Sequence, residues 1–285
     1  MMTIQLMTDG GADIPASLKE SIDVEIVPLY LHFSNEEFKS EGNKNVFAFY
    51  DKLEKQKELP RSAAPSPHDF YKAYKKVEAT KPIIMLNMSA GLSSTYENAV
   101  AGKNMLLEEE PDRRIEVMNT KTASCGIALL LDEASKKIKE NVSFEQLTAH
   151  LHQRIQQTTS LFVLQTLDNL ILGGRLDKVR GKIANTLNIK LLMRGNEEGM
   201  IEVTEKVRGE KRAVRRFVDQ IANYTKSPKD KTFFISHGND EPRAKTILST
   251  IRNKFPFKDS YVTEMGPLIF TYGGNGAIVI SFFSD

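Results

Sequence analysis

The residues best suited to chemistry cluster in one short stretch, residues 87–96, NMSAGLSSTY. It follows the apolar run Pro82, Ile83, Ile84, Met85 and Leu86 and precedes a helical pattern over 95–107. A strand that feeds such a loop into a helix leaves unpaired backbone N–H groups at the helix terminus. The helix dipole there favours an anionic oxygen group. Ser89, Ser93, Ser94 and Thr95 add hydroxyls that can donate to the same group. The loop holds no lysine or arginine, so a single carboxylate suits it better than a triphosphate. The same residue types also cap helices, and Gly91 also fits a plain turn, so this stretch alone leaves both readings open.

Arg175 is the second candidate. Gly173 and Gly174 before it let the backbone approach closely, and a guanidinium grips oxyanions in a planar fork. A glycine helix cap followed by a solvated arginine fits the sequence equally well. Lys206, Arg208, Lys211, Arg212, Arg215 and Arg216 form a basic run, which reads as a solvated helix face or as a docking patch for an acidic partner or an anionic membrane surface. Other chemistries have little support. There is no Walker-type loop, no strand–GxGxxG–helix fingerprint and no GxSxG elbow. His150 and His152 stand two apart in a helical pattern and so diverge rather than share a metal ion. Gly273, Gly274 and Gly276 around Asn275 read as a turn before a strand. Cys125 is the one cysteine; it excludes an internal disulfide and suits a reducing, cytoplasmic setting.

The elements that must position these residues read as alternating strands and helices. Strands are expected at 3–7, 24–33, 82–86 and 114–118, and helices follow Asp13, at 45–57, from Pro67, over 95–107, at 123–140 and from Ser143. This order argues a mainly parallel sheet covered on both faces, with ligands beyond the carboxyl ends of strands. The loops at Asp9, residues 89–94 and Asn119 could then share one crevice. Near residue 158 the pattern restarts. A strand at 161–164 leads to a short helix at 167–172, a helix with face Leu176, Val179, Ile183, Ala184 and Leu187, a hairpin around residues 195–199, a helix at 214–221, a strand to His237, a helix at 241–253 and a last strand at 277–283. We therefore expect two α/β domains, residues 1–158 with the parallel sheet and residues 159–285 with a mixed sheet, and a ligand cleft between them. The 285-residue length allows this. A net charge of +2, from 39 basic and 37 acidic residues, gives no global field for nucleic acid. The first residues lack the basic and apolar segments of a signal peptide, and no segment reaches the roughly 20 apolar residues of a membrane span.

Several stretches, in order along nearly the whole chain, resemble the DegV family. Residues 8–15, TDGGADIP, resemble its opening TDS…DLP motif; residues 62–67, SAAPSP, its TSQPSP loop; residues 89–96, SAGLSSTY, its SS-x-LSGTY loop; and residues 170–176, LILGGRL, its L-x-x-GGRI segment. Residues 188–190, 206–209 and 237–238 fit as well. The resemblance implies two α/β domains that bind one long-chain fatty acid as ligand, with no cofactor and no catalytic residues of their own. It also implies service as the binding subunit of a fatty acid kinase, whose separate ATP-dependent subunit phosphorylates the carboxylate to an acyl phosphate. Carried over by position, Ser93 and Ser62 would hydrogen-bond the carboxylate. Arg175, with Ser94 and Gly273, would lie near the head group or the partner, and the acyl chain would run into the apolar interior of residues 1–158. An acyl chain needs a continuous apolar tunnel, and each buried CH2 is worth about 0.8 kcal/mol.

This chain departs from the family pattern at Gly10 (usually serine), Ala63 and Ala64 (Ser–Gln), Asn119 and Thr120 (Asp–Ser), and in residues 271–276, TYGGNG, where the family has TH-x-GPG. Tyr272 thus stands where a head-group histidine is usual, and its phenol can still donate to a carboxylate. Two rival readings stay open. One is an enzyme acting on a small carboxylated or phosphorylated metabolite through Asp9, Arg175 and His237. The other is an interaction protein, without a ligand, that docks through the basic helix at 206–216.

Overall fold

The computed structural model describes residues 4–34, 36–56, 59–176 and 188–285. Its elements are, in order, β1 (Gln5–Asp9), α1 (Ala16–Lys19), β2 (Val24–Val27), β3 (Leu29–His32), β4 (Glu37–Ser40), α2 (Val46–Gln56), β5 (Arg61–Ala63), α3 (Pro67–Lys76), β6 (Ile83–Asn87), α4 (Thr95–Glu109), β7 (Ile115–Asn119), α5 (Cys125–Lys139), α6 (Phe144–Gln157), β8 (Thr158–Val163), α7 (Asp168–Leu172), β9 (Ile189–Gly195), β10 (Ile201–Arg208), α8 (Glu210–Asp219), β11 (Thr232–His237), α9 (Glu241–Lys254), β12 (Asp259–Glu264), α10 (Pro267–Gly273) and β13 (Ile278–Phe283).

The first sheet runs β2-β1-β6-β7, parallel throughout. All five β6 residues are buried, as both faces of a central parallel strand should be. Side-chain alternation divides the sheet cleanly. Met7, Ile83, Met85, Ile115 and Val117 meet Phe70, Tyr74, Ala99 and Leu106 of α3 and α4. Leu6, Ile84, Leu86 and Met118 face the apolar residues of α5. Ser66 and Ser143 start α3 and α6 with complete capping boxes.

The second sheet runs β10-β9-β8-β13-β11-β12. Only β11 and β12 pair parallel, across α9; the other pairs are antiparallel, including the β9–β10 hairpin. The fold is thus α/β with one parallel and one mixed sheet. Helix α5 packs on β1 and β6 of one sheet and on β11 and β13 of the other. That is why Ile127, Ala128, Leu129, Leu130 and Leu131 are all buried, where a helix covering one sheet would bury a single face.

Other elements differ from the sequence reading for local reasons. The extended run at 24–33 breaks at Pro28, which has no N–H to give to a ladder. Strand β2 stays in the first sheet, whereas β3 turns into a separate antiparallel sheet, β4-β3-β5. Asp13 does not cap α1, whose N-cap is Pro15 with no side-chain bond. Strands β4, β5 and β12 and helix α10 have too few residues, or too mixed a pattern, to be read from periodicity. Past the buried Leu176, the helix face expected at Val179, Ile183, Ala184 and Leu187 lies outside the described residues.

Candidate functional site

A cavity of about 140 Å³ lies between the loops that follow the first sheet and the face of the second. Its wall comes from both halves of the chain: Leu29, Ser62, Met88, Leu92, Ser93 and residues 121–124 on one side; Ser160, Phe162, Leu164, Leu170, Arg175, the hairpin tip at residues 195–201, Met265, Leu268, Ile269, Tyr272, Gly273 and Val279 on the other. The sequence reading sent the acyl chain into the interior of residues 1–158, yet residues after 158 supply more of this wall.

One end of the cavity is closed by hydroxyls and a guanidinium. Pairing of β3 with β5 sets Ser62 opposite Leu31 and turns its hydroxyl to the cavity. Helix α10 brings Tyr272, whose phenol stands 2.5 Å from Ser62 Oγ, so one short hydrogen bond joins the two halves across the mouth. Helix α7 ends in a glycine cap. Gly174 has φ +75°, its N–H bonds Ile171 O, and the Arg175 N–H bonds Leu170 O. This cap does not release Arg175 to solvent. Its Nη1 donates to Gly173 O at 2.6 Å, its Nε donates to Leu92 O at 3.3 Å, and the guanidinium lies 5.1 Å from the centre of the Tyr272 ring. The Gly173–Gly174 pair therefore caps α7 and also lets the Tyr272 ring approach closely. A Cβ on Gly173 would stand 2.4 Å from Tyr272 Cε1, so a side chain there would displace the ring.

The loop at residues 88–93 supplies the facing wall. Ser93 Oγ lies 2.6 Å from Thr95 Oγ1 and accepts from the Thr95 N–H at 3.3 Å, so Ser93 both lines the cavity and is tied to the first residue of α4. Ser94 is exposed, makes no side-chain cap bond and is not part of the wall. Ser89 is spent on structure: it donates to Gly199 O at 2.7 Å and accepts from the Gly91 N–H at 3.0 Å, which clamps the hairpin tip over the loop. Gly273 lines the cavity beside Tyr272.

The other expected chemical residues brace this arrangement. Asp9 is fully buried. It accepts from Met88 N–H at 2.7 Å and Gly11 N–H at 2.9 Å, and burial pushes its pKa up to about 6 despite these bonds. Asn119 Oδ1 accepts from the Ala90 and Lys121 N–H groups. Asp9 and Asn119 thus hold the two loops that meet at the cavity, but Asp9 is not in its wall. His237 is also buried, 3.3 Å from Glu264 and outside the wall, and burial lowers its pKa. Asp9, Arg175 and His237 therefore do not converge, and the metabolite-enzyme reading loses its constellation. His150 and His152 turn to different carboxylates, Glu133 and Glu116. Among the described residues no group of three or more His, Cys, Asp or Glu could hold a metal. In the basic run, Arg216 is paired with Glu205, and Ala213, Phe217 and Val218 face inward from α8.

Sequence reasoning missed two features. Thr122, Ser124 and Ser160 add hydroxyls to the wall. The stretch 119–124 repeats the pattern of 87–95, a strand end and hydroxyl-rich loop before a helix, and could have been flagged on that ground. Asp13 is the second, a buried hub that accepts from Ser124 Oγ at 2.5 Å, Ser236 Oγ at 3.0 Å and the Gly266 N–H at 2.7 Å. Burial pushes its pKa up to about 7. It ties the first loop to the segment that starts α10 and so fixes where Tyr272 stands.

Fold and site together define a three-sheet α/β protein with a largely apolar internal cavity, polar at its mouth. The family model described as "Uncharacterised protein, DegV family" matches residues 3–285, and the chain belongs to the DegV family. A DegV domain-containing protein of Clostridium perfringens is 26% identical over 100% of this chain and 99% of its own. A DegV family protein from Ruminococcus gnavus, solved with vaccenic acid, superposes with a TM-score of 0.91 at 27% identity, covering 99% of this chain and 100% of its own. The Streptococcus pneumoniae fatty acid kinase (Fak) B3 protein, solved loaded with linoleic acid, has a TM-score of 0.86 at 26% identity and full coverage of both chains.

Proposed function

We propose that this chain binds one long-chain fatty acid in this cavity. The carboxylate would lie at the mouth, taking hydrogen bonds from Ser62, Ser93 and Tyr272, with Arg175 supplying positive charge beside it. The observation that carries the reading is the pairing of a largely apolar wall with one end built from hydroxyls and a guanidinium. Apolar burial would supply most of the affinity, at about 0.8 kcal/mol per methylene, and the polar end would orient the ligand. In the free chain the phenol and Ser62 satisfy each other; a carboxylate could enter between them and accept from both.

The bound head group at the mouth would be presented to a separate ATP-dependent kinase subunit, with this chain acting as carrier and not as catalyst. The ligand-loaded relatives support this division of labour, as does a cavity wall in which, among the described residues, no acid–base set is assembled. A cytoplasmic location, and transient contact with a membrane surface during loading, belong to the same proposal. Among the described residues no helix is long and apolar enough to cross a membrane.

The test is a pair of substitutions, Ser62→Ala with Ser93→Ala, read by fatty-acid titration. Affinity should fall at least tenfold; unchanged affinity would remove the head-group assignment.

A further inference from the structure

Away from its mouth the cavity wall carries a second group of hydroxyls. Ser160, Phe162 and Leu164 lie on the same side of β8 and its continuation, and all three line the cavity. Leu164 stands beside Gly273 at the mouth, 3.9 Å from where a Cβ would be. Ser160 is four residues away, about 13 Å along an extended strand at roughly 3.3 Å per residue. Between them the wall is apolar, with Phe162 and Val279 prominent. At the Ser160 end, Thr122 Oγ1 lies 2.7 Å from Ser160 Oγ, which lies 2.8 Å from Ser281 Oγ.

These three hydroxyls have spare capacity. Two of their three O–H groups are used in the two contacts among them. The remaining one has only a long 3.4 Å contact, from Thr122 to Ala123 O; Ser281 Oγ also accepts from Cys125 Sγ at 3.4 Å, and Thr122 and Ser160 keep lone pairs that no described residue occupies. Their surroundings are arranged for oxygen. Gly126 lets these hydroxyls pack directly against α5, since a Cβ there would stand 2.2 Å from Thr122 Oγ1 and 2.8 Å from Ser160 Oγ. The cluster also lies beside the first residues of the 15-residue helix α5, where the dipole is positive. An unmodified alkyl chain would meet these polar groups with nothing to offer them.

We propose that the cavity is fitted to a long-chain fatty acid that bears a hydroxyl near its middle, received by Thr122 and Ser160. The inference rests on the fatty-acid reading given above. With C–C bonds of ~1.5 Å in a zigzag, an extended chain advances about 1.25 Å per carbon, so the span of about 13 Å from Leu164, beside Gly273 at the mouth, to Ser160 corresponds to about ten carbons and a hydroxyl near carbon ten is the one to test. Thr122 and Ser160 would each exchange one hydrogen bond with it, and the buried hydroxyl would not go unpaired.

The experiment titrates wild type, Thr122→Val and Ser160→Ala with stearate, oleate, 10-hydroxystearate and 5-hydroxystearate. The two hydroxy acids lose the same hydration on entry, so their ratio isolates position. Wild type should bind the 10-isomer about tenfold tighter than the 5-isomer. Each variant should bring that ratio to within about threefold while stearate stays within about twofold, which also shows that the variant is folded. Equal binding of the two isomers by wild type, or a ratio that survives both substitutions, overturns the inference and leaves the fatty-acid reading intact. Oleate losing as much as the 10-isomer in the variants also overturns it, because the hydroxyls would then read unsaturation. No binding of any of the four ligands to wild type would bring down the fatty-acid reading and this inference together.

Discussion

Replacing Tyr272 by phenylalanine removes one oxygen from the mouth and little else. The ring stays, so its contact with Gly173 and the Arg175 guanidinium at 5.1 Å are kept. In the free chain the lost partner is the Ser62 hydroxyl, 2.5 Å away and only half-buried, so water can replace the phenol. That loss costs about 0.5–1.5 kcal/mol of stability. In the complex the lost partner is a carboxylate, and a hydrogen bond to a charged group is worth about 1.5–3 kcal/mol. The difference, about 1–2 kcal/mol, predicts a Kd roughly 5- to 30-fold weaker. Ser62→Ala should give a loss of similar size. The double variant should lose less than the sum, because the two hydroxyls are partners in the free chain. Calorimetric titration with palmitate reads the affinities, and thermal unfolding of the free chain reads the smaller stability term. If both single variants bind within twofold of wild type, the mouth is not the head-group site and the reasoning fails.

Asp13→Asn tests the buried hub. Its carboxyl is held up at about 7 by burial, against an ordinary 3.8, so protonation favours the fold. That stabilisation is complete below about pH 4 and is lost as pH rises through 7. At about 1.4 kcal/mol per unit the full span is on the order of 4 kcal/mol. Denaturant midpoints at pH 5 and pH 8 should differ in wild type, with pH 8 the less stable. The difference should shrink in Asp13→Asn, with Asp9 supplying a residual slope of the same sign; an identical slope in the variant would count against the hub. Gly199→Ala should lower stability by about 2–3 kcal/mol in a thermal melt, because φ is +75° and the new Cβ would stand 2.1 Å from Ser89 Oγ. Ser94→Ala should leave palmitate affinity within twofold, since its side chain is exposed and outside the wall.

Strong local signals made part of this structure readable. The apolar run at 82–86 and the helix starts at Pro67 and Ser143 depend on near neighbours, and they appear where their residues imply. The Gly173, Gly174, Arg175 sequence was legible as a glycine cap; that Arg175 turns over the Tyr272 ring, nearly a hundred positions later, was not. Long-range placement hid the rest. Asp13 shows in the sequence only as a residue that precedes an expected helix. Its real partners, Ser124, Ser236 and Gly266, come together only when the two sheets close on α5. Helix α10 is seven residues long, too short to show a period, yet it carries Tyr272. Ser89 and Ser93 share one loop and one residue type, but the loop's own turn and the tip of the β9–β10 hairpin send one to Gly199 and the other to the cavity. No local pattern separates them.

The measurement that bears most directly on the central claim is native mass spectrometry of the purified full-length chain, followed by solvent extraction and lipid analysis. The account predicts one fatty acid per chain, released on denaturation, with a length that the analysis identifies. A ligand-free mass that stays unchanged after incubation with a panel of long-chain fatty acids would contradict it.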